Sequence, residues 1–341
     1  MLFRPVQERD LSDIIDLAAR AGIGLTSLPY NVSYLKTKIN NSIASFSGNL
    51  PRSQQRFLFV LEDLLIKRVV GVSAIEAAVG LDEPFYNFRI QRIVRASRQL
   101  NVYKNIELLT LNYDQTGHSE LCTLFLDPRY QKNRNGLLLS KARFLFIAAH
   151  PHIFSSHIFA EMRGIIDNQG RSPFWDALGY HFFDIPFAEA DKLTGIGMKT
   201  FIAELMPLYP IYVSLLPILA QQAIGKVHPH TVPARSILEK EGFSWNGTID
   251  IFDAGPVLEA ETNMIRTIRD SQIVTVNKIY NILNSINIPC ISIVSNDRFK
   301  DFSAILLKTE DNKSMIKLND IQRKYLRVNE NDKIRVITLY P

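Results

Sequence analysis

The stretch ELCTLFLD (120–127), closed by Pro128, constrains the fold of this chain more than any other segment. A short, nearly continuous apolar run bounded by proline predicts a central strand buried on both faces, since such runs occur where helices cover a sheet above and below. The loop RYQKNRNG (129–136) follows, and behind Gly136 the residues Leu138, Lys141, Ala142, Leu145 and Ala149 recur at helical spacing. Strand, glycine-bearing loop and helix in that order place the chain in the α/β class.

The opening of the chain extends the same reading. LFRPV predicts a strand, and Asp10 stands at an N-cap position ahead of Leu11, Ile14, Ile15, Leu17 and Ala18, with Gly22 as the stop. A second helix is predicted over Val32 to Phe46, ending at Gly48, before the strands FLFVLED (57–63) and VVGVSAIEAAV (69–79). The result is a β-α-α-β-β opening. Further on, HIFAEMRG (157–164) predicts a strand, and SPFWDALG (172–179) a short helix capped by Ser172 with Pro173 at its first position. FIAELMP (201–207) reads as a strand. PARSILEKEGF (233–243) echoes SPFWDALGY (172–180): each helix stops at a glycine suited to a left-handed conformation, and an aromatic residue begins the next strand.

From about Asn263 the pattern changes to short strands, IPCISIV (288–294), FSAILLKT (302–309) and IRVITLY (334–340). The helix LNDIQRKYL (318–326), started by Asn319 or Asp320, interrupts them. At 341 residues the chain exceeds the ~100–200 typical of one domain. The expected division is 1–195, 196–260 carrying His228, and a small C-terminal α/β region over 261–341.

Composition excludes several classes of function. Cys122 and Cys290 are far apart and form no CxxC pair, so neither a disulfide framework nor a zinc site is expected, and a reducing compartment is. No apolar run near the N-terminus has the length of a signal peptide or spanning helix, so the cytoplasm is expected and a membrane is not. The net charge of +5 is dispersed among 34 acidic residues without a basic stripe, which is a solvated surface rather than a nucleic-acid footprint.

Chemistry concentrates at the loop before the 138–149 helix. A helix N-terminus offers free backbone N–H groups and the positive end of a dipole, which suit a pyrophosphate, and Lys132 and Arg134 add charge there. An ordinary strand-loop-helix connection has the same outline. Gln131-Lys-Asn-Arg-Asn-Gly136 resembles the Gln/Arg-x-x-Gly-x-Gly/Ala motif of the acetyltransferase superfamily related to histone and aminoglycoside acetyltransferases. Gln131 and Gly136 fit, whereas Arg134 replaces the first glycine, and its guanidinium can grip a phosphate in a fork.

Longer stretches carry a closer resemblance. GLTSLP (24–29), AVGLDEPFYNFR (78–89), SELCTLFLDP (119–128), FAEMRG (159–164), SPFWDALG, FIAELMP, GKVHPHTVPAR (225–235) and IDIFDAGP (249–256) are similar, in order and spacing, to the arginine N-succinyltransferase family. The likeness runs from Arg4 to about Arg269. It implies tandem acyl-CoA N-acyltransferase (GNAT-like) mixed sheets flanked by helices, with a small, mainly β C-terminal appendage. The implied activity transfers succinyl from succinyl-CoA to the α-amino group of L-arginine, or of ornithine, in arginine catabolism. Succinyl-CoA would be a co-substrate, with no tightly bound cofactor and no metal. Family habit implies a homo-oligomer or a pairing with a related subunit. The resemblance also implies a CoA contact at Leu124 and a catalytic His228, beside Gln131, Lys132, Arg134 and Gly136 of the loop.

Each candidate has a competing reading. An α-amino group, with a pKa of ~8, must lose a proton before attacking a thioester, and imidazole, at ~6.5, can take it or return one to the thiolate. Without the resemblance, His228 is a loop histidine packed beside Pro229; His230 is its nearby competitor and His118 a weaker one. Leu124 would act through its backbone, as an open strand edge does. Cys122 invites an acyl-enzyme reading, yet its apolar neighbours favour an inert thiol. Glu120 and Glu161 are candidates for a guanidinium, and Arg89 or Arg163 for a carboxylate, each otherwise an ion-pair partner. Arg134 also motivates an alternative function: a non-catalytic or weakly active CoA-binding subunit that completes a related subunit's site.

Overall fold

The computed structural model describes residues 1–198, 200–278, 289–310 and 315–339. Its strands, in chain order, are β1 (Leu2–Pro5), β2 (Arg56–Asp63), β3 (Arg68–Glu76), β4 (Asn87–Ser97), β5 (Val102–Asn112), β6 (Ser119–Leu126), β7 (His157–Glu161) and β8 (Ile211–Tyr212). They continue with β9 (Ser244–Asp250), β10 (Pro256–Glu261), β11 (Gln272–Lys278), β12 (Pro289–Ser295), β13 (Ala304–Glu310), β14 (Met315–Leu318) and β15 (Lys333–Thr338). The helices are α1 (Leu11–Ala21), α2 (Val32–Phe46), α3 (Asn135–Ala149), α4 (Pro173–Ala177), α5 (Tyr180–Phe183) and α6 (Phe187–Gly195). Then follow α7 (Thr200–Leu205), α8 (Ile218–Ala223), α9 (Val232–Glu241), α10 (Arg266–Asp270) and α11 (Asp320–Leu326).

All of these strands join one sheet, in the order β14-β11-β15-β12-β13-β1-β2-β3-β6-β7-β10-β9-β4-β5-β8. The pairs β6–β7 and β11–β14 are parallel, and the other neighbours described are antiparallel. The strands after residue 270 extend the same sheet through β1–β13. Among the described residues no helix is long and apolar enough to cross a membrane.

Helices cover both faces near the centre. β2 sends Leu58 and Val60 to the side of α1 and α2, where Ile14, Leu17, Leu35 and Ile39 are buried. Its Phe57, Phe59 and Leu61 go to the other side, against Leu138, Leu145 and Phe146 of α3. That two-sided burial is what a continuous apolar run encodes. β6 is central but differs from expectation: Ser119, Leu121 and Thr123 are buried while Glu120, Cys122 and Leu124 are half-buried. Both faces are nevertheless packed, with Leu121, Leu124 and Leu126 on the α3 side and Cys122 and Phe125 on the α1–α2 side, and the strand also lines a cleft.

Several other expectations need correction. FIAELMP is helical, as α7, because a short apolar run has no fixed period and its Ala, Glu and Leu favour a helix. The proposed echo fails at Gly179, whose φ of −59° is ordinary and whose chain continues into α5. Glycine is needed there because a Cβ would lie 2.4 Å from the Trp175 ring. At Gly242 the expectation holds: φ is 103° and β9 starts two residues later. Asp10 sits at the start of α1, but its carboxylate takes the Arg4 guanidinium at 2.7 and 2.8 Å instead of capping the helix. The β4–β5 hairpin was not foreseen; its outer half is exposed and rich in Arg, Asn and Gln, which blurs the alternation.

α3 is buried on nearly every side, and its one lysine, Lys141, is fully buried. Its Nζ lies 2.7 Å from Oε1 of Glu241, at the end of α9, with both side chains 0% exposed. Glu241 Oε2 also accepts the Thr267 N–H of α10 at 2.7 Å. One carboxylate thus locks together α3, α9 and α10. Removing one partner of such a pair strands the other charge, so Glu241→Ala is expected to lower unfolding free energy by about 3–5 kcal/mol. Arg235→Ala, which breaks the more exposed pair with Glu239, should change it by at most about 1 kcal/mol; urea denaturation of both variants measures the difference.

Candidate active site

β6 and β7 start side by side and then part. Their parallel register holds only at Ser119–Ile158 and Glu120–Phe159. On its other edge β6 pairs with β3, but the register slips between Val72–Phe125 and Ala74–Cys122, and Thr123 adopts a φ of 56°. This β-bulge leaves Leu124 without a register partner on either neighbouring strand. The bulge is fixed from outside: the Ser27 hydroxyl accepts the Thr123 N–H at 3.1 Å, and Lys38 of α2 donates to the Thr123 hydroxyl at 3.0 Å and the Ser27 carbonyl at 2.6 Å. The GLTSLP segment is therefore a brace for β6.

Where the strands part, a cleft of about 1490 Å³ opens. Leu124, Gln131, Lys132, Arg134 and Gly136 all line it, so the loop and strand singled out from sequence meet at one cavity. Asn133 and Arg134 both take left-handed conformations, at φ 53° and 63°. For a non-glycine residue this costs roughly 1–2 kcal/mol, so Arg134 keeps the course a glycine would follow at an energetic penalty. The first intrahelical bond of α3 runs from Leu138 N–H to Arg134 O, which leaves the Gly136 and Leu137 amides at the mouth of the helix. Gly136 is not required by the protein's own packing, since a Cβ there would meet only Leu126 Cδ2, at 3.9 Å. Gln131, by contrast, turns its amide back to the Leu126 carbonyl at 3.3 Å.

Pro229, His230 and Thr231 also line the cleft, whereas His228, half-buried in the same turn, does not. The His228 N–H donates to the Arg163 carbonyl at 2.9 Å, which ties this turn to the chain leaving β7. Its Nδ1 accepts the His230 N–H at 3.2 Å, so the neutral ring carries its hydrogen on Nε2. Burial, then the nearby Arg163 and His230, push its pKa below the ordinary histidine value.

Carboxylates make a third wall. Glu161, at the end of β7, and Asp250 and Asp253, at the end of β9, line the cleft. Burial raises all three above the usual carboxylate range; Asp250 is the next cause for Glu161 and for Asp253. Asp253 is a structural staple: it accepts the Gly164 N–H at 2.6 Å and the Gly255 N–H at 2.8 Å. A Cβ at Gly255 would lie 1.8 Å from the Met162 carbonyl oxygen, so only glycine permits that approach. Glu161 was foreseen from sequence. Asp250 and Asp253 were not, although two carboxylates three residues apart beside a glycine in DIFDAG were a usable signal. Arg163 lines the same region and donates to the Ile23 carbonyl. Arg143, also unforeseen, is fully buried beneath the cleft, donates to the Ala74 carbonyl at 3.2 Å, and is pulled down to about 10 by burial.

Three sequence candidates fall away from the centre or lose their chemistry. Arg89 pairs with Asp114 at 3.0 Å and does not line the cleft. His118 stacks on His157 with ring centroids 5.1 Å apart, also outside it. Cys122 does line the cleft, but burial, then Glu120 and Glu76, push its thiol well above the usual range.

The family described as arginine N-succinyltransferase beta subunit matches residues 1–267. An arginine N-succinyltransferase of Photorhabdus laumondii is 57% identical over 341 residues, covering 100% of this chain and 99% of the relative. One of Yersinia pestis is 50% identical over 343 residues, covering 100% and 98%. The solved arginine/ornithine succinyltransferase subunit AI of Pseudomonas aeruginosa is 37% identical with a TM-score of 0.89, covering 100% of this chain and 99% of that one.

A thiol held protonated does not react as a nucleophile. Native protein treated with iodoacetamide at neutral pH should therefore leave Cys122 unmodified by mass spectrometry, and urea-unfolded protein should be alkylated there.

Proposed function

The chain belongs to the arginine N-succinyltransferase family, and on that premise we propose that its cleft carries succinyl-CoA along the open edge of β6 to the α-amino group of L-arginine. The observation that carries this reading is Leu124, without a register partner at the bulge, lying in one cavity with the first turn of α3. A pantetheine arm bonds to an open strand edge as another strand would. The CoA diphosphate accepts from the Gly136 and Leu137 amides, with Lys132 and Arg134 as counter-charges. Arg134 keeps the glycine-like backbone course, which favours a working enzyme over a CoA-binding partner subunit.

Reaction proceeds by direct attack. The arginine ammonium gives one proton to solvent, and the amine adds to the thioester carbonyl. The cationic nitrogen of the tetrahedral intermediate gives its second proton to the base, and collapse releases the amide and the CoA thiolate, which takes that proton from the acid. His228 is the acid/base of this sequence. The tautomer with hydrogen on Nε2 is its donor form, and proton uptake requires Nδ1 to give up its long contact with the His230 amide. The Leu124 N–H suits the oxyanion, because the neighbouring Thr123 N–H is already taken by Ser27. The reading keeps the division at about 195 and 260, with residues 1–195 supplying the CoA side and 196–260 the histidine. It places the reaction in the cytoplasm, with a homo-oligomer or a related paired subunit as the working assembly.

Two experiments test the proposal, both following CoA thiol release with succinyl-CoA and L-arginine. His228→Asn should lower kcat by roughly 10²–10⁴-fold, whereas His230→Asn should leave it within about threefold, an allowance for a lost neighbour of modest coupling. Because the His228 pKa is lowered, the ring is neutral at pH 7 and protonates only at more acid pH. The acid limb of kcat should lie below the ordinary ~6.5, with activity lost as pH falls through it, and should vanish in the variant. Separately, Gly136→Ala should leave thermal stability unchanged or raise it by up to about 1 kcal/mol. It should leave CoA binding within about threefold, since the motif accepts alanine there and the methyl meets only Leu126 Cδ2 at 3.9 Å. Arg134→Ala, by contrast, should weaken it by about tenfold, equal to ~1.4 kcal/mol, by removing a counter-charge to the diphosphate.

A further inference from the structure

We propose that this chain pairs with a second copy of itself through the margin of the sheet that ends in β8, along the surface formed by residues 205–219 and the outer half of the β4–β5 ribbon. The inference does not rest on the chemistry of the cleft, and it chooses a like copy over a different subunit.

The span itself is the first observation. Residues 205–225 hold no Asp, Glu, Lys, Arg or His, in a chain that is 21% charged. Burial does not account for this: Leu208, Tyr209, Leu215, Ile218 and Leu219 are each at least 70% exposed, and Leu205 and Tyr212 are exposed as well. Single apolar residues on a surface need no explanation, but these seven fall within fifteen positions. Together they present on the order of 900 Å² of surface, against roughly 300–600 Å² for the largest apolar patch of an ordinary monomer.

The ribbon is the second observation. β4 is held by β9 only at residues 87–89, and β5 by β8 only at 108–109. Residues 92–97 and 102–107 are therefore laddered only to each other, and a two-stranded ribbon is marginal by itself in water. Register puts Val94 and Tyr103 on the ribbon face that carries Leu109. Leu109 packs with Val213, Leu216 and Ala220, so both exposed side chains extend the sheet face that the 205–219 span covers. The ribbon's charges do not spoil that face: Arg95 and Lys104 stand on its opposite side, and Arg92 is paired with Glu107 at 3.1 Å.

A like copy is the occupant that fits. A twofold pair sets the same surface of both partners against itself, so charges near the axis would meet their own kind. A span free of charge avoids that cost. The area on offer also matches the roughly 800 Å² that each partner of a stable pair contributes. β8, two residues long and preceded by Pro210, is a poor template for a further strand, so the contact is made by side chains.

Sedimentation equilibrium of the full chain tests this without any reading of activity, so a failed pair leaves the catalytic proposal standing and a failed assay leaves the pair. Wild type should give twice the chain mass. Leu215→Glu and Tyr103→Glu, which place charge at two separate points of the surface, should each weaken the pair by roughly 30-fold or more, the loss typical of an interface centre. Their far-ultraviolet circular dichroism should match wild type. Leu65→Glu, in the β2–β3 turn and 93% exposed, should leave the pair within about twofold. A wild-type mass of one chain at every concentration, or a pair that survives either Leu215→Glu or Tyr103→Glu, would overturn the proposal. Flotation of a monomeric wild type with phosphatidylcholine vesicles would overturn it too, by giving the face to a lipid surface.

Discussion

The parting of β6 and β7 is the constraint on which the rest of this structure depends. Two adjacent parallel strands ordinarily remain paired, because each open backbone group left in the interior is expensive. Here separation is enforced from both sides. Ser27 and Lys38 hold the bulge at Thr123, which turns β6 off its course. Asp253 draws the end of β7 toward the 250–255 turn, and Gly164 and Gly255 make room for that approach. What remains between the strands is a groove with main-chain groups exposed along one wall.

Charge gives the groove a direction. Lys132 and Arg134 stand beside the α3 mouth, and Glu161 and Asp250 at the ends of β7 and β9. On the proposed function, a co-substrate with an anionic handle would be oriented at the α3 mouth before the reacting atoms meet, and such alignment is most of what an uncatalysed amine and thioester lack. The buried Lys141–Glu241 pair fixes α3 against α9, and with them the two turns to which the proposed function assigns the diphosphate and the acid/base histidine.

Much of this was legible from residues alone. The apolar run of β6 and the 3.6-residue period of α3 announced strand, turn and helix, and the turn indeed faces the same cavity as Leu124. His228 and Leu124 came from resemblance, because nothing in the local pattern of a histidine beside a proline distinguishes a reactive ring from a packed one. The acidic wall was half visible. Glu161 sits in a recognisable strand, but its companions Asn87 and Asp250 are some 70 to 90 residues away along the chain, and only the register of β4 with β9 brings them to it. Short apolar runs misled where period was absent, as in α7, and Gly179 misled because a glycine demanded by a tryptophan ring looks in sequence like one demanded by a turn.

The unbroken sheet carries a last consequence. The described strands from β14 to β8 form one ladder, narrowed to two register pairs between β6 and β7, so any hinge motion that closes over the cleft would have to bend the sheet at that point.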